Sequence, residues 1–197
     1  ALIAVAVALR SSNVESHFLI HSGWGQKIGK HLTTLGFNYS KLSMGTIWSL
    51  SIFRKERGQM WKSILGLVRA PIELARIAQD FGATHLLTGN ASFTVYLLPA
   101  LYVSQLSVIY RHGDEAADHT MFHRMINRLI FRRANTQVAN CQYLRERLRS
   151  KYGFADCRII YNCPMRFNGQ LEGTSSNSEK VHSYPKRLLY VGQLAEH

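Results

Sequence analysis

The chain has 197 residues and a mass of 22.4 kDa, with 46% hydrophobic and 18% charged residues. Its 24 Lys and Arg residues against 12 Asp and Glu residues give a formal net charge of +12. This composition excludes a disordered or collagen-like chain, and its positive charge favours anionic partners such as phosphorylated small molecules, acidic membrane surfaces or nucleic acid.

The three cysteines include no C-x-x-C pair, which argues against a zinc site and a disulfide framework. No run of 18 apolar residues occurs, so no membrane-spanning helix is predicted. We therefore expect a cytoplasmic protein that is at most peripheral on the inner membrane face. The apolar start, Ala1–Leu9, has no initiator Met and no basic leader, which indicates a fragment that begins inside an element and lacks the first strand.

Short β-rich runs alternate with longer helical patterns along the chain. The predicted strands are His17–His21, Asn38–Leu42, His85–Thr88, Ser107–Arg111, Gln137–Asn140, Arg158–Tyr161 and Arg187–Val191. The predicted helices are Lys27–Leu35, Met60–Phe81, Ser92–Val103, Thr120–Arg133 and Tyr143–Tyr152. Uninterrupted apolar strands are typical of parallel sheets covered on both faces. The alternation predicts an α/β fold with a doubly wound, Rossmann-like parallel sheet.

One shift in composition suggests a domain boundary. The segment 168–185 is rich in Gly, Ser, Asn and Thr and poor in apolar residues, which predicts a linker. A new strand pattern begins at Lys186. We therefore expect a first domain over 1–167 and the start of a second, truncated domain over 186–197.

Ligands of open parallel sheets bind beyond the carboxyl ends of the strands. His112 follows a predicted strand there and could act as a general acid or base or hold a sugar hydroxyl, with Gly113 and Asp114 beside it. Gly89 and Asn90 join a strand to a helix, where backbone N–H groups suit an anion or a hydroxyl. A charged surface loop at the first position and a plain capped turn at the second remain open alternatives.

A metal site is a weaker interpretation of the same region. His112, Asp114, Asp118 and His119 have ligand chemistry, but they straddle a loop and a helix start. This pattern would suit a metal-dependent hydrolase, for which bound zinc is the test.

Basic residues are concentrated over 120–151, with eight Lys or Arg residues and one acid. Arg124, Arg128 and Arg132 are four residues apart and share one helix face. Phe131 is predicted to lie near them and to enter a lipid headgroup layer. The neighbouring apolar residues are expected to pack inward: Met125, Ile126, Leu129 and Ile130. An ordinary solvated face is the alternative, and no nucleic-acid-binding motif accompanies the charge, so nucleic acid is not an expected partner.

Three segments in order resemble family-4 glycosyltransferases. The stretch 133–144 (RANTQVANCQYL) is similar to the family's helix–strand–helix segment that begins with arginine and alanine. The stretch 148–167 ends in RIIYNCPMRF and resembles the family's I-x-N-G-V turn, although Cys163 replaces the usual glycine. The stretch 186–194 (KRLLYVGQL) resembles the first strand of the family's second domain.

The resemblance implies the N-terminal, acceptor-binding half of a GT-B architecture, with the active site in a cleft between two Rossmann-like domains. His112 would contact the donor sugar, while Gly89, Asn90, Gly113 and Asp114 would shape the acceptor side. Gly192 and Gln193 would meet the donor diphosphate, although arginine is usual where Gln193 stands.

The family transfers a sugar from a nucleotide-sugar substrate with retention, and it requires no metal or other cofactor. The acceptor would be a glycan or lipid-linked sugar, and a membrane surface could be a further partner. Because the donor-binding domain is missing, these 197 residues are not expected to transfer sugar alone. Two alternatives remain: a GT-B sugar-nucleotide epimerase, and a non-catalytic Rossmann-like module that docks to a partner or membrane.

Overall fold

A computed structural model describes residues 2–21, 25–43, 57–113, 120–154, 156–161 and 187–191. The helices in these ranges are α1 (Leu2–Arg10), α2 (Gly25–Thr34), α3 (Arg57–Phe81), α4 (Ala91–Val103), α5 (Met121–Arg133) and α6 (Gln142–Tyr152). The strands are β1 (Glu15–His21), β2 (Asn38–Leu42), β3 (His85–Thr88), β4 (Ser107–His112), β5 (Thr136–Ala139), β6 (Cys157–Ile159) and β7 (Arg187–Val191).

The seven strands form one parallel sheet in the order β2-β1-β7-β3-β4-β5-β6. β1 and β2 lie on one side of β7, and β3 to β6 lie on the other. Successive strands are therefore added outward in both directions from the centre, as in doubly wound sheets. The predicted α/β, Rossmann-like class is therefore confirmed.

Alternating residues of the strands enter two apolar layers. Leu19, Leu86 and Leu189 pack with α3 and α4 on one face of the sheet. Phe18 and Tyr190 stack with ring centroids 4.8 Å apart on the other face, in the layer that contains α1 and α2. The apolar strands are thus covered on both faces, which is why they read as continuous apolar runs.

Glycines end several helices where the chain turns back toward the sheet. Gly36, Gly82 and Gly153 have φ values of 70°, 62° and 76°, in the left-handed region that glycine adopts without strain. Pro71 lies inside α3, which continues as a single helix from Arg57 to Phe81, so this proline does not divide the helix.

The last strand differs from the expected domain boundary. We interpreted 186–197 as the start of a second domain, but β7 pairs with β1 on one side and β3 on the other. Leu188 and Leu189 alternate between the two apolar layers, which matches a central strand of a parallel sheet. Residues 187–191 therefore belong to this sheet, while the predicted linker and residues 192–197 lie outside the described residues.

Polar contacts fasten the first residue of β7 at the amino edge of the sheet. The Arg187 guanidinium donates a 2.8 Å hydrogen bond to the Phe81 carbonyl and lies 3.1 Å from the Glu15 carboxylate. The backbone N–H of Thr84 donates to the Arg187 carbonyl at 3.0 Å. These bonds set the register of β7 between its two neighbours.

The outermost strand beside β5, which is β6, differs from its predicted range. It covers Cys157–Ile159, whereas we expected Arg158–Tyr161. Ile160 and Tyr161, which follow β6, are exposed, and β6 is the outermost strand of the sheet.

Candidate functional site

The carboxyl edge of the sheet brings together three strand ends that belong to β3, β4 and β5. The residues that follow these strands are Gly89, Gly113 and Asn140. Because the strands are parallel neighbours, these three positions lie side by side. This edge holds the described residues of the predicted site, while Asp114, Gly192 and Gln193 lie outside the described residues.

His112 is the last residue of β4, and its side chain is only 3% exposed. The ring centroid lies 4.7 Å from that of Tyr110 and 4.8 Å from that of Phe131. Its Nε2 atom is 3.2 Å from the Gln137 Oε1 atom. The backbone of His112 thus reaches the strand tips, whereas its imidazole lies beneath α5 in an aromatic enclosure.

The hydrogen bonds around Gln137 determine how the imidazole is protonated. The Gln137 Nε2 group donates to the Phe131 carbonyl at 3.2 Å, so the Oε1 atom faces His112 and accepts a hydrogen bond from its Nε2–H group. This arrangement requires a proton on the Nε2 atom of His112. Burial lowers the pKa of His112 to about 4, and the bond to Gln137 opposes this shift in part.

Gly89 and Asn90 have clear roles in shaping the β3–α4 turn. A Cβ atom at Gly89 would lie 2.6 Å from the Arg111 carbonyl oxygen, so the close approach of the two strand ends requires glycine. The Asn90 Oδ1 atom accepts hydrogen bonds from the N–H groups of Ser92 at 2.9 Å and Phe93 at 3.3 Å. Asn90 is thus the N-cap of α4, the alternative that the sequence had left open.

The close approach at Gly89 predicts a large difference between two similar substitutions. Gly89→Ala should lower the free energy of unfolding by about 1–3 kcal/mol, because the new methyl group overlaps a backbone carbonyl. Gly113→Ala is the control, since its Cβ would have the Arg111 guanidinium at 3.8 Å as its neighbour. Urea unfolding of both variants measures the difference, and equal losses would contradict the geometry.

Asn140 is the polar residue of this edge that the sequence analysis did not single out. Its Nδ2 group donates a 2.6 Å hydrogen bond to the Gly113 carbonyl, and its backbone N–H donates to the His112 carbonyl at 3.2 Å. The Oδ1 atom is buried and has no hydrogen-bond partner within the part of the chain that the structure describes. Asn140 therefore connects two strand ends and leaves one acceptor for a donor such as a hydroxyl group.

The helix after Asn140 begins without a side-chain cap. Cys141 is the N-cap of α6, and its thiol makes no capping hydrogen bond. The free N–H groups of a first helical turn carry partial positive charge. The candidate site thus combines a hydroxyl acceptor with a weakly positive helix end.

The arginine stripe lies where the sequence predicts it, but Phe131 does not. Arg124, Arg128 and Arg132 are exposed on α5. Phe131 is only 1% exposed and packs against Tyr110, so the predicted insertion of this ring into a headgroup layer is wrong. One residue along a helix rotates the side chain by about 100°, which is enough to turn Phe131 away from Arg132 and into the core.

The apolar residues of α5 divide differently from the expectation. Ile130 is buried and Ile126 is half-buried, as predicted, but Met125 and Leu129 are exposed. Arg133 turns inward instead, and its guanidinium donates to the Leu106 carbonyl at 3.0 Å. The end of α5 is thereby tied to the turn between α4 and β4.

Metal ligation has no assembled donor set in the described ranges. Across them, no group of three His, Cys, Asp or Glu side chains is arranged to hold a metal ion. Of the four residues considered as metal ligands, Asp114, Asp118 and His119 lie outside the described residues. Comparison with known proteins adds no assignment, because neither a family model nor a curated protein matches this chain.

Proposed function

We propose that this chain is the acceptor-side half of a nucleotide-sugar-dependent glycosyltransferase of the GT-B type. The observation that carries the proposal is the buried, unpartnered Oδ1 atom of Asn140 among the described residues at the carboxyl edge. An acceptor atom at this edge of a doubly wound sheet suits a sugar hydroxyl, which can donate a hydrogen bond to it. The resemblance of 133–144 to family-4 glycosyltransferases supports the same proposal, since Asn140 lies inside that segment. The resemblance of 186–194 to the start of a second domain gives no such support, because residues 187–191 belong to this sheet.

The charge of the chain supports a nucleotide diphosphate as the donor component. A net charge of +12 raises the local concentration of anionic ligands around the protein. The uncapped start of α6 lies directly beside Asn140 and provides N–H groups for anionic oxygen atoms. Both features suit a sugar that carries a phosphate leaving group.

In this proposal His112 is a positioning residue. Its Nε2–H group is bonded to Gln137, and its low pKa keeps the ring neutral near pH 7. A neutral, enclosed imidazole fixes the end of β4 and the adjacent Gly113, while the Nδ1 atom is its remaining acceptor. General acid–base catalysis by His112 would require this ring to leave its enclosure.

The test is binding of glucose and mannose, as acceptor analogues, by the 197-residue chain, followed through the backbone amide resonances, with UDP-glucose and GDP-mannose measured alongside. Shifts should be concentrated at Gly89, Gly113 and Asn140, because these amides lie at the proposed edge. Asn140→Ala should weaken binding about tenfold, by loss of one hydrogen bond. Asn140→Asp, of equal size, keeps an acceptor oxygen but loses the Nδ2 donor to the Gly113 carbonyl, so it measures the contribution of that bridge between the strand ends.

Two results would contradict the proposal. One is the absence of shifts with glucose and mannose, the ligands of the acceptor side. The other is a set of shifts that Asn140→Ala leaves unchanged. Binding of the nucleotide with no contribution from the sugar would instead favour a nucleotide-binding module without sugar transfer.

A further inference from the structure

The outer surface of α5 has two adjoining stripes of different chemistry. Arg124, Arg128 and Arg132 form the basic stripe at intervals of four residues. Met121, Met125 and Leu129 form an apolar stripe with the same spacing and are 86%, 53% and 40% exposed. Since residues three and four apart are neighbours on a helix, each apolar side chain lies next to an arginine.

The apolar stripe continues onto the neighbouring helix. Tyr102 and Val103, at the end of α4, are 57% and 84% exposed. The Tyr102 hydroxyl donates to the Leu129 carbonyl at 3.4 Å, which brings the two helices together at this point. Phe122 adds a further exposed ring at the start of α5. We call these six apolar residues and three arginines the α4–α5 surface.

The α4–α5 surface has an excess of basic over acidic residues in its own stretch of sequence. Residues 120–145 contain no Asp or Glu. The burial of Ile130 and Phe131 on the opposite side of α5 holds the helix in one orientation, so its exposed side chains are presented together. Large apolar side chains in such numbers on one exposed surface indicate an interaction site.

We propose that the α4–α5 surface binds an anionic lipid bilayer, with its methionine, leucine and aromatic side chains in the headgroup region. The adjoining arginines complement the negative charge of lipid phosphates, and the apolar stripe gains from leaving water. Within the described residues no helix is long and apolar enough to cross a bilayer, so binding is at the surface. This inference rests on α4 and α5 and is independent of sugar transfer.

The experiment measures co-sedimentation of the 197-residue chain with phosphatidylcholine vesicles that contain 0 or roughly 30% phosphatidylglycerol, a typical anionic surface. Wild-type protein should bind the anionic vesicles and not the neutral ones. Replacing Arg124, Arg128 and Arg132 by Gln should reduce partitioning about 100-fold, since each arginine near such a surface contributes about fivefold. Met125→Gln with Leu129→Gln should also reduce binding, by at least about tenfold, with the charge unchanged.

A matched variant separates this surface from the overall charge. Replacing Arg147, Arg149 and Lys151 by Gln removes the same charge from the exposed side of α6. This control should retain at least about half of the wild-type binding. Every substituted residue is exposed, so all variants should remain folded. Circular dichroism and thermal unfolding verify that they do.

Three outcomes would overturn the inference. Equal losses in the α5 and α6 triple variants would show that only net charge matters. Failure of the wild-type chain to bind anionic vesicles would exclude the bilayer as the occupant. Concentration-dependent dimers that Met125→Gln and Leu129→Gln abolish, without lipid binding, would assign the surface to a second copy of the chain.

Discussion

Replacing Leu189 by Asp should abolish cooperative folding of the whole chain. Leu189 is 0% exposed and packs with Leu19 and Leu86 from the flanking strands. A carboxylate there would be buried without a partner in the central strand, at a cost of about 4 kcal/mol or more. Typical domains have a stability of roughly 5–15 kcal/mol, so most or all of it would be lost.

The measurement is urea unfolding followed by circular dichroism, with Leu189→Met as the control of similar volume. Leu189→Met should cost less than about 1.5 kcal/mol. Removing residues 186–197 should have the same effect as Leu189→Asp, because it leaves β1 and β3 without their shared neighbour. If 186–197 instead opened a separate domain, both changes would leave the unfolding of 1–185 as it is in the wild type, which would contradict the observed sheet order.

The second large effect concerns the dependence of stability on pH through His112. Burial holds its pKa near 4 in the folded chain, below the ordinary value of 6.5. The unfolded chain therefore takes up a proton first as the pH falls. Stability should be unaffected by His112 above about pH 6.5 and should decrease by about 3 kcal/mol as the pH falls from about 6.5 to about 4.

His112→Phe provides the test, because phenylalanine keeps the ring volume and cannot be protonated. This variant should lose a constant amount of stability, since the Gln137 Oε1 atom loses its donor, but its pH dependence should be flatter. In the wild type, nitrogen chemical shifts of the imidazole should report a neutral ring with the proton on Nε2 at pH 7. A charged ring at pH 7, or equal pH profiles for the two proteins, would refute the enclosed geometry.

Within the candidate site, strand ends could be located from the sequence, but the directions of side chains could not. The strand and glycine pattern predicted His112, Gly89 and Asn90 at the carboxyl edge, and all three lie at strand or helix ends there. Whether an edge residue faces a cleft or a helix depends on strand alternation and on what covers that face. His112 shares the Tyr110 face, which α5 covers, and this placed its ring in an enclosure.

The role of Asn140 at this edge could not be predicted from the sequence for a similar reason. A single Asn after a short strand has many ordinary roles, such as capping the next helix. Its importance comes from the neighbouring strand, where Gly113 accepts its Nδ2 hydrogen bond and leaves Oδ1 unpartnered among the described residues. Such a relationship between residues 27 positions apart exists only after the strands are paired.

The α/β class, most of the strands and helices, and the concentration of arginines on α5 could all be predicted from the sequence. These features follow from apolar periodicity, glycine helix ends and charge spacing, which act over a few residues. The central place of β7 in the sheet, the burial of Phe131 and the exposure of Met125 and Leu129 became evident only from the packing of the folded chain. Those outcomes depend on which distant segments of the chain pack against the same apolar surface. Sequence patterns that extend over a few residues do not determine this packing.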